Sequence, residues 1–292
     1  MRIALFATNY SAELEPFYIE FLGKLIYNKF KVSIYKPLHE ALLANHLINA
    51  DISTFCCYND LKGKTDFLFS VGGDGTMLKT LFLVRDSGIP ILGFNTGRLG
   101  FLSAISRDEI SEAIESLKEN KYHIEKRSLI RLEKPENLFG ADNFGLNEIT
   151  IHKKDSSSMI TIQAYVNDVF LNSYWADGLI VSTPTGSTAY SMSCGGPIIA
   201  PDAKNFILTP VATHNLTVRP IVIPDSAVIK LKVEGRTNNF LVTLDSNNAV
   251  ISNSIELVIK KEDFGINLVQ LNSKSFFSTI RDKLMWGWDK RN

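Results

Sequence analysis

The chain has little cysteine, no excess of either charge and no long apolar run, and each shortage excludes a class of protein. Only Cys56, Cys57 and Cys194 occur in 292 residues, with no Cys-x-x-Cys spacing. The adjacent pair cannot close an ordinary disulfide, and a zinc site would lack ligands. A disulfide framework is therefore excluded, and reduced, mostly buried thiols in a cytoplasmic protein are expected. Basic and acidic residues number 31 each, so the formal net charge is zero. Bulk charge thus draws neither nucleic acid nor an anionic membrane. No stretch approaches the ~18 apolar residues that span a bilayer. The opening run Met1 to Ala7 is too short for a secretory signal. Low-complexity segments and internal repeats are missing as well.

What is present is a soluble globular composition, 45% hydrophobic and 21% charged, long enough for one large domain or two ordinary ones. The first 125 residues alternate in the βα manner. Strands are expected at 2–7, 31–35, 67–71 and 89–94, with helices at 14–28, 37–47, 77–85 and 108–119. After that the pattern changes to short alternating segments at 128–132, 148–152, 160–166, 179–182, 221–223, 228–233, 240–244 and 254–259, separated by turn residues. This is the signature of an all-β layer or sandwich. The tail 276–286 reads as an amphipathic helix with Phe276, Phe277, Ile280 and Leu284 on one side.

Two stretches carry chemistry. Ser70-Val71-Gly72-Gly73-Asp74-Gly75-Thr76 follows an apolar strand and opens a helix expected to start at Thr76. Glycines there let main-chain N–H groups approach a phosphate, and the helix directs its positive end at the same spot. An acid among such donors repels an anion. Asp74 is therefore either a helix N-cap or a group that acts on a hydroxyl proton or holds a cation. The second stretch runs from Asp177 to Pro197 and carries seven Ser or Thr hydroxyls between Ser182 and Ser193. Such a loop can bond ribose hydroxyls, phosphate oxygens and base edges, and Gly186 with Gly195-Gly196 allows close backbone approach. Lys79 and Arg98 are possible added cations, and the pair Asn147-Glu148 stands just before a strand.

Together with Gly93-Phe94-Asn95-Thr96-Gly97-Arg98-Leu99-Gly100-Phe101-Leu102, these segments resemble the motif set of bacterial NAD kinases, in order and with compatible spacing, from the first strand to about Asp245. The Gly-Gly-Asp-Gly-Thr element alone is shared with lipid kinases and phosphofructokinases; the segment Thr183-Pro184-Thr185-Gly186-Ser187-Thr188-Ala189-Tyr190 is specific. The resemblance implies transfer of a phosphoryl group from ATP to the adenosine 2′-hydroxyl of NAD, assisted by a divalent cation such as Mg²⁺. It implies an α/β (Rossmann-like) domain over residues 1–125, joined by about 270–292, and an all-β sandwich over 126–270 that binds NAD. It also implies a cytoplasmic homo-oligomer, dimer or tetramer, whose partners are small-molecule nucleotides.

By the same resemblance, Asp74 is the general base, Gly75 lies beside the ribose and Lys79 falls where a cation often stands. Phe101 packs on the adenine, Asn147 and Glu148 hold polar groups of the dinucleotide, and Asp177 lies at the nicotinamide end. Thr188, Ala189, Tyr190 and Ser193 line the adenine pocket, with Thr185, Ser191 and Met192 in the same binding loop. Ala212 falls at the nicotinamide site, and Asn247 offers an amide. Two departures stand out. Tyr174-Trp175-Ala176 replaces a stretch that often holds arginine, and Asp245-Ser246-Asn247 replaces Asp-Gly-Gln. His214 is expected to be a structural, hydrogen-bonded residue.

Overall fold

A computed structural model describes residues 1–8, 10–97, 100–103, 105–154, 158–236 and 238–287. It divides the chain into two compact units, 1–126 with 266–292 and 127–265. The boundaries fall inside two long strands, Tyr122–Lys134 and Leu257–Leu271.

The first unit is built on parallel strands in the order Ile91–Phe94, Phe67–Val71, Arg2–Phe6, Lys31–Tyr35, Ser53–Phe55. Phe67–Val71 is buried at all five positions, as a central parallel strand covered on both faces must be. Beyond Ile91–Phe94, Leu268 of the last strand pairs with Ile91, again in parallel. Phe17, Phe21, Phe69 and Phe94 form the centre of the core, with Phe21 and Phe94 ring centroids 4.8 Å apart. The chain then ends in the helix Phe276–Leu284, capped by the Ser275 side chain.

Three expectations are corrected here. The helix after the glycine turn begins at Asp74, with Gly73 as its N-cap, rather than at Thr76. Phe277 is exposed, so the tail helix buries Thr279 and Ile280 instead of a full apolar stripe. Cys56 and Cys57 are exposed and Cys194 half-buried, because the adjacent pair lies in the turn after Ser53–Phe55 and not within a strand.

The second unit is antiparallel. One sheet runs Ile221–Pro224, Asn205–Val211, Gly178–Ser182, Glu148–Lys153, Asn239–Leu244, Asn247–Ser252. Facing it, Val169–Ala176, Ile160–Val166 and Ile229–Glu234 lead to the first half of Leu257–Leu271. Alternate side chains such as Ile149, Ile151, Ile162, Phe206, Phe240 and Val242 fill the space between, which makes the unit a β-sandwich. The strand Val169–Ala176, the hairpin partner Asn247–Ser252 and Asn205–Val211 add to the segments read from sequence.

Candidate active site

In the first unit the strand Phe67–Val71 ends at a turn that only glycine can make at position 72, where φ is +145° and a Cβ would stand 2.9 Å from that of Thr76. At Gly73 and Gly75 a Cβ would meet nothing within 4 Å. Packing does not demand glycine at those two positions, and their bareness leaves room for a ligand over the turn.

Asp74 does not cap its own helix. Its carboxylate reaches across to the loop after Ile91–Phe94 and accepts three successive main-chain N–H groups. Phe101 donates to Oδ2 at 2.8 Å, and Leu102 and Ser103 donate to Oδ1 at 3.0 Å each. Gly100 is required for this approach, since a Cβ there would stand 2.6 Å from the Asp74 Cγ. The side chain remains 33% exposed, so the carboxylate is fixed but open to a ligand. Lys283, on the tail helix, brings its Nζ to 4.0 Å from Asp74 Oδ2 and 4.3 Å from the Phe101 ring centre. Lys79 is exposed one turn into the helix. Arg98 lies outside the described residues.

The second unit repeats the carboxylate device. Asp245 accepts from Leu146 at Oδ2 (2.7 Å) and from Asn147 and Glu148 at Oδ1 (2.9 and 3.0 Å). Burial raises the Asp245 carboxyl while the three N–H donors oppose the rise. The same bonds fix Asn147 and Glu148. Glu148 is buried, and its carboxyl is pushed up to about 8, first by burial and then by the Asp245 charge, against an N–H from Tyr190 that lowers it. One of its oxygens, Oε2, is buried without a hydrogen-bond partner. Burial and the neighbouring Asp245 charge thus favour the protonated form of the Glu148 carboxyl, which can donate as well as accept.

The hydroxyl-rich stretch folds into two short helical turns, Thr185–Thr188 and Tyr190–Ser193. Six of its seven hydroxyls are engaged inside the unit. Ser182 and Thr183 bond the main-chain carbonyls of Thr183 and Leu146, Ser187 that of Ile199, and Thr188 that of Thr185. Ser191 bonds Thr209, and Thr185 lies 3.5 Å from Arg127 Nη1. Gly186 makes its close approach to the Asn147 main chain. The sequence could show donors but not their distant partners, and it gave no sign of buried Arg127. What the loop turns outward is Tyr190 and Ser193, with Thr188, Ala189 and Met192 half-buried and Ser191 buried. Tyr190 stacks on His152 at 5.7 Å.

Asp177 pairs with Lys153 at 2.6 Å. Ala212 follows the neighbouring strand with φ +46°. Trp175 and His214 meet at 4.3 Å, and the His214 N–H donates to the Trp175 carbonyl at 3.0 Å. Asn247 is exposed where its hairpin turns.

An acid fixed over a glycine-rich strand–helix turn, in an α/β unit joined to a β-sandwich, is the equipment of a nucleotide-dependent phosphotransferase. Comparison with known proteins gives the narrower assignment. Residues 46–122 match the family model described as the ATP-NAD kinase N-terminal domain, and 146–266 match the ATP-NAD kinase C-terminal domain. The chain is 48% identical to the NAD kinase of Flavobacterium psychrophilum and 42% to that of Bacteroides fragilis, in each case over 100% of both chains. An Archaeoglobus fulgidus NAD kinase solved with ATP superposes with a TM-score of 0.73 at 25% identity, covering 98% of this chain and 99% of that one. Yeast NADH kinase solved with NADH shares the fold at 22% identity, TM-score 0.85, over 99% and 88%. The chain belongs to the NAD kinase family.

Proposed function

We propose that the chain transfers the terminal phosphoryl group of ATP to the adenosine 2′-hydroxyl of NAD, with Asp74 as general base. The observation that carries this reading is the Asp74 carboxylate itself, anchored by three N–H donors beside a bare glycine turn and still exposed. An alcohol attacks phosphorus poorly until its proton has an acceptor, and positioning and electrostatics supply most of the remaining rate. Asp74 Oδ2 accepts the proton. The Lys283 ammonium, beside the same oxygen, screens charge that develops on the transferred group.

Mg²⁺ enters with the triphosphate as part of the substrate. Among the described residues no trio of His, Cys, Asp or Glu converges at Asp74. Asp74 would offer the ion a carboxylate oxygen, in keeping with the preference of Mg²⁺ for phosphate and water oxygens beside one or two carboxylates. Bound with ATP, the ion neutralises phosphate charge.

In the second unit, Asn147 and the protonated Glu148 hold polar groups of the dinucleotide, and Tyr190 with Thr188, Ala189 and Met192 offers a surface for adenine. Asp177, Ala212 and Asn247 complete the dinucleotide contacts. The same reading places the protein in the cytoplasm, in keeping with the absence, among the described residues, of any helix long and apolar enough to cross a membrane. It also makes the protein a homo-oligomer. Val169, Phe170 and Trp175, exposed on the edge strand Val169–Ala176, suit a contact between copies.

The test is direct. The protein is incubated with ATP, Mg²⁺ and NAD, and NADP is detected with an NADP-specific dehydrogenase. Failure to form NADP with any phosphoryl donor overturns the proposal.

A further inference from the structure

The turn after Ser53–Phe55 gathers three donor atoms that the phosphoryl chemistry does not use. Cys56 Sγ lies 3.3 Å and Cys57 Sγ 3.5 Å from the same oxygen, Oδ2 of Asp60. The two sulfurs and the carboxylate all stand within 4.8 Å of one another. That oxygen also accepts the main-chain N–H of Cys56 at 2.8 Å and of Cys57 at 3.2 Å. A carboxylate that caps the short helix Tyr58–Leu61 accounts for the two N–H bonds. The same capping box, in which the Asp60 N–H donates to the Cys57 side chain, seats that sulfur as well; the Cys56 thiol, turned onto the same oxygen, has no part in the cap.

The distances have a simple reading. A tetrahedral ion with metal–sulfur bonds of about 2.3 Å and metal–oxygen bonds of about 2.0–2.2 Å has sulfur–oxygen edges of about 3.5 Å. The two sulfur–oxygen separations in the turn match two edges of such a tetrahedron. We infer that Cys56, Cys57 and Asp60 form a binding site for a thiophilic divalent cation of the zinc or cadmium kind, with its fourth position open to solvent.

The sequence alone argued against such a site for want of ligands; Asp60 supplies the third. Binding exchanges protons for the ion. Each S–H is replaced by a sulfur–metal bond, two protons leave to solvent, the carboxylate gives the third bond and water the fourth. No electrons are transferred. The two N–H donors hold the ligating carboxylate in place, as outer-shell partners do in metal sites. Two thiolates favour soft cations and reject Mg²⁺, so the ion that accompanies ATP does not compete here.

The test uses the full-length, reduced protein, stripped of metal and held in excess Mg²⁺ without nucleotide. Cadmium is added while thiolate-to-cadmium charge-transfer absorbance and proton release into weak buffer are followed. One ion per chain with about two protons released is expected. Cys56→Ser with Cys57→Ser removes both signals. Asp60→Asn weakens binding about 10- to 100-fold, and Cys194→Ser changes nothing. Circular dichroism of each variant confirms that the fold is retained. An absent charge-transfer band in the parent protein, or one that survives the double serine variant, overturns the inference. NADP formation is read separately, so neither result bears on the kinase proposal.

Discussion

Lys283 and Asp74 form an ion pair at 4.0 Å across the first unit, with the lysine also seated over the Phe101 ring. Tail and glycine turn, far apart in sequence, are thereby joined at the proposed reacting oxygen. Replacing Lys283 by Met is expected to lower kcat about 10²-fold with little change in the KM for NAD, the cost of losing one preorganised charge. Lys283→Arg should recover part of the rate. Steady-state kinetics decide it: a rise in KM alone would assign Lys283 to ground-state binding.

Asp74→Asn keeps the shape but loses the base. A fall in kcat of about 10²–10⁴-fold is expected, with NAD binding, read by calorimetry, largely retained. The amide also turns one N–H group toward a former acceptor position, so a stability loss of about 1–3 kcal/mol should accompany it. Loss of affinity in step with rate would leave Asp74 only a structural role.

Gly100 and Gly75 should behave oppositely. Gly100→Ala drives a methyl into the Asp74 carboxylate, so thermal unfolding should shift to lower temperature and activity should fall with it. Gly75→Ala meets nothing within 4 Å, so the melting temperature should hold while nucleotide affinity drops. A Gly75→Ala protein that melts early would show that the turn itself needs that glycine.

Glu148 makes stability depend on pH in a direction opposite to most carboxylates. The folded chain keeps its proton up to about 8, whereas an ordinary glutamate carboxyl loses it near 4.5. Between those values the folded state binds more protons than the unfolded state, so stability falls as pH rises. Glu148→Gln removes the titration. Its advantage over the parent should grow by about 1.4 kcal/mol per pH unit across this window and level off above it. Urea midpoints from pH 5 to 9 would display this, and a pH-independent difference would refute it.

Much of the first unit was legible because glycine and alternation leave local marks. The buried run Phe67–Val71 and the bare turn after it are written in nine consecutive residues, 67–75. The second unit was read less fully. Val169–Ala176 is half-exposed at an edge and bulged near Phe170, so its alternation is broken. The hydroxyls of 182–193 were visible as donors, yet six are engaged within the unit, some with residues as distant as Thr209. Lys283 gave no local sign at all, being one charge on an amphipathic tail. The carboxylate bonds of Asp74 and Asp245 were equally hidden, because each joins segments remote in the chain.

The two oxygens of Asp74 are not equivalent. Oδ1 is occupied by two N–H donors, while Oδ2 takes one and faces the lysine. A free carboxylate exchanges its oxygens by rotation; here rotation would break all three bonds. As a base, Asp74 therefore has a single address and a fixed line of approach. A ribose offers neighbouring 2′ and 3′ hydroxyls of closely similar acidity, which no difference in basicity could tell apart. Regiochemistry then rests on which hydroxyl lies on that line, and loosening the Phe101–Ser103 anchor would be expected to let the 3′-phosphate form as a by-product.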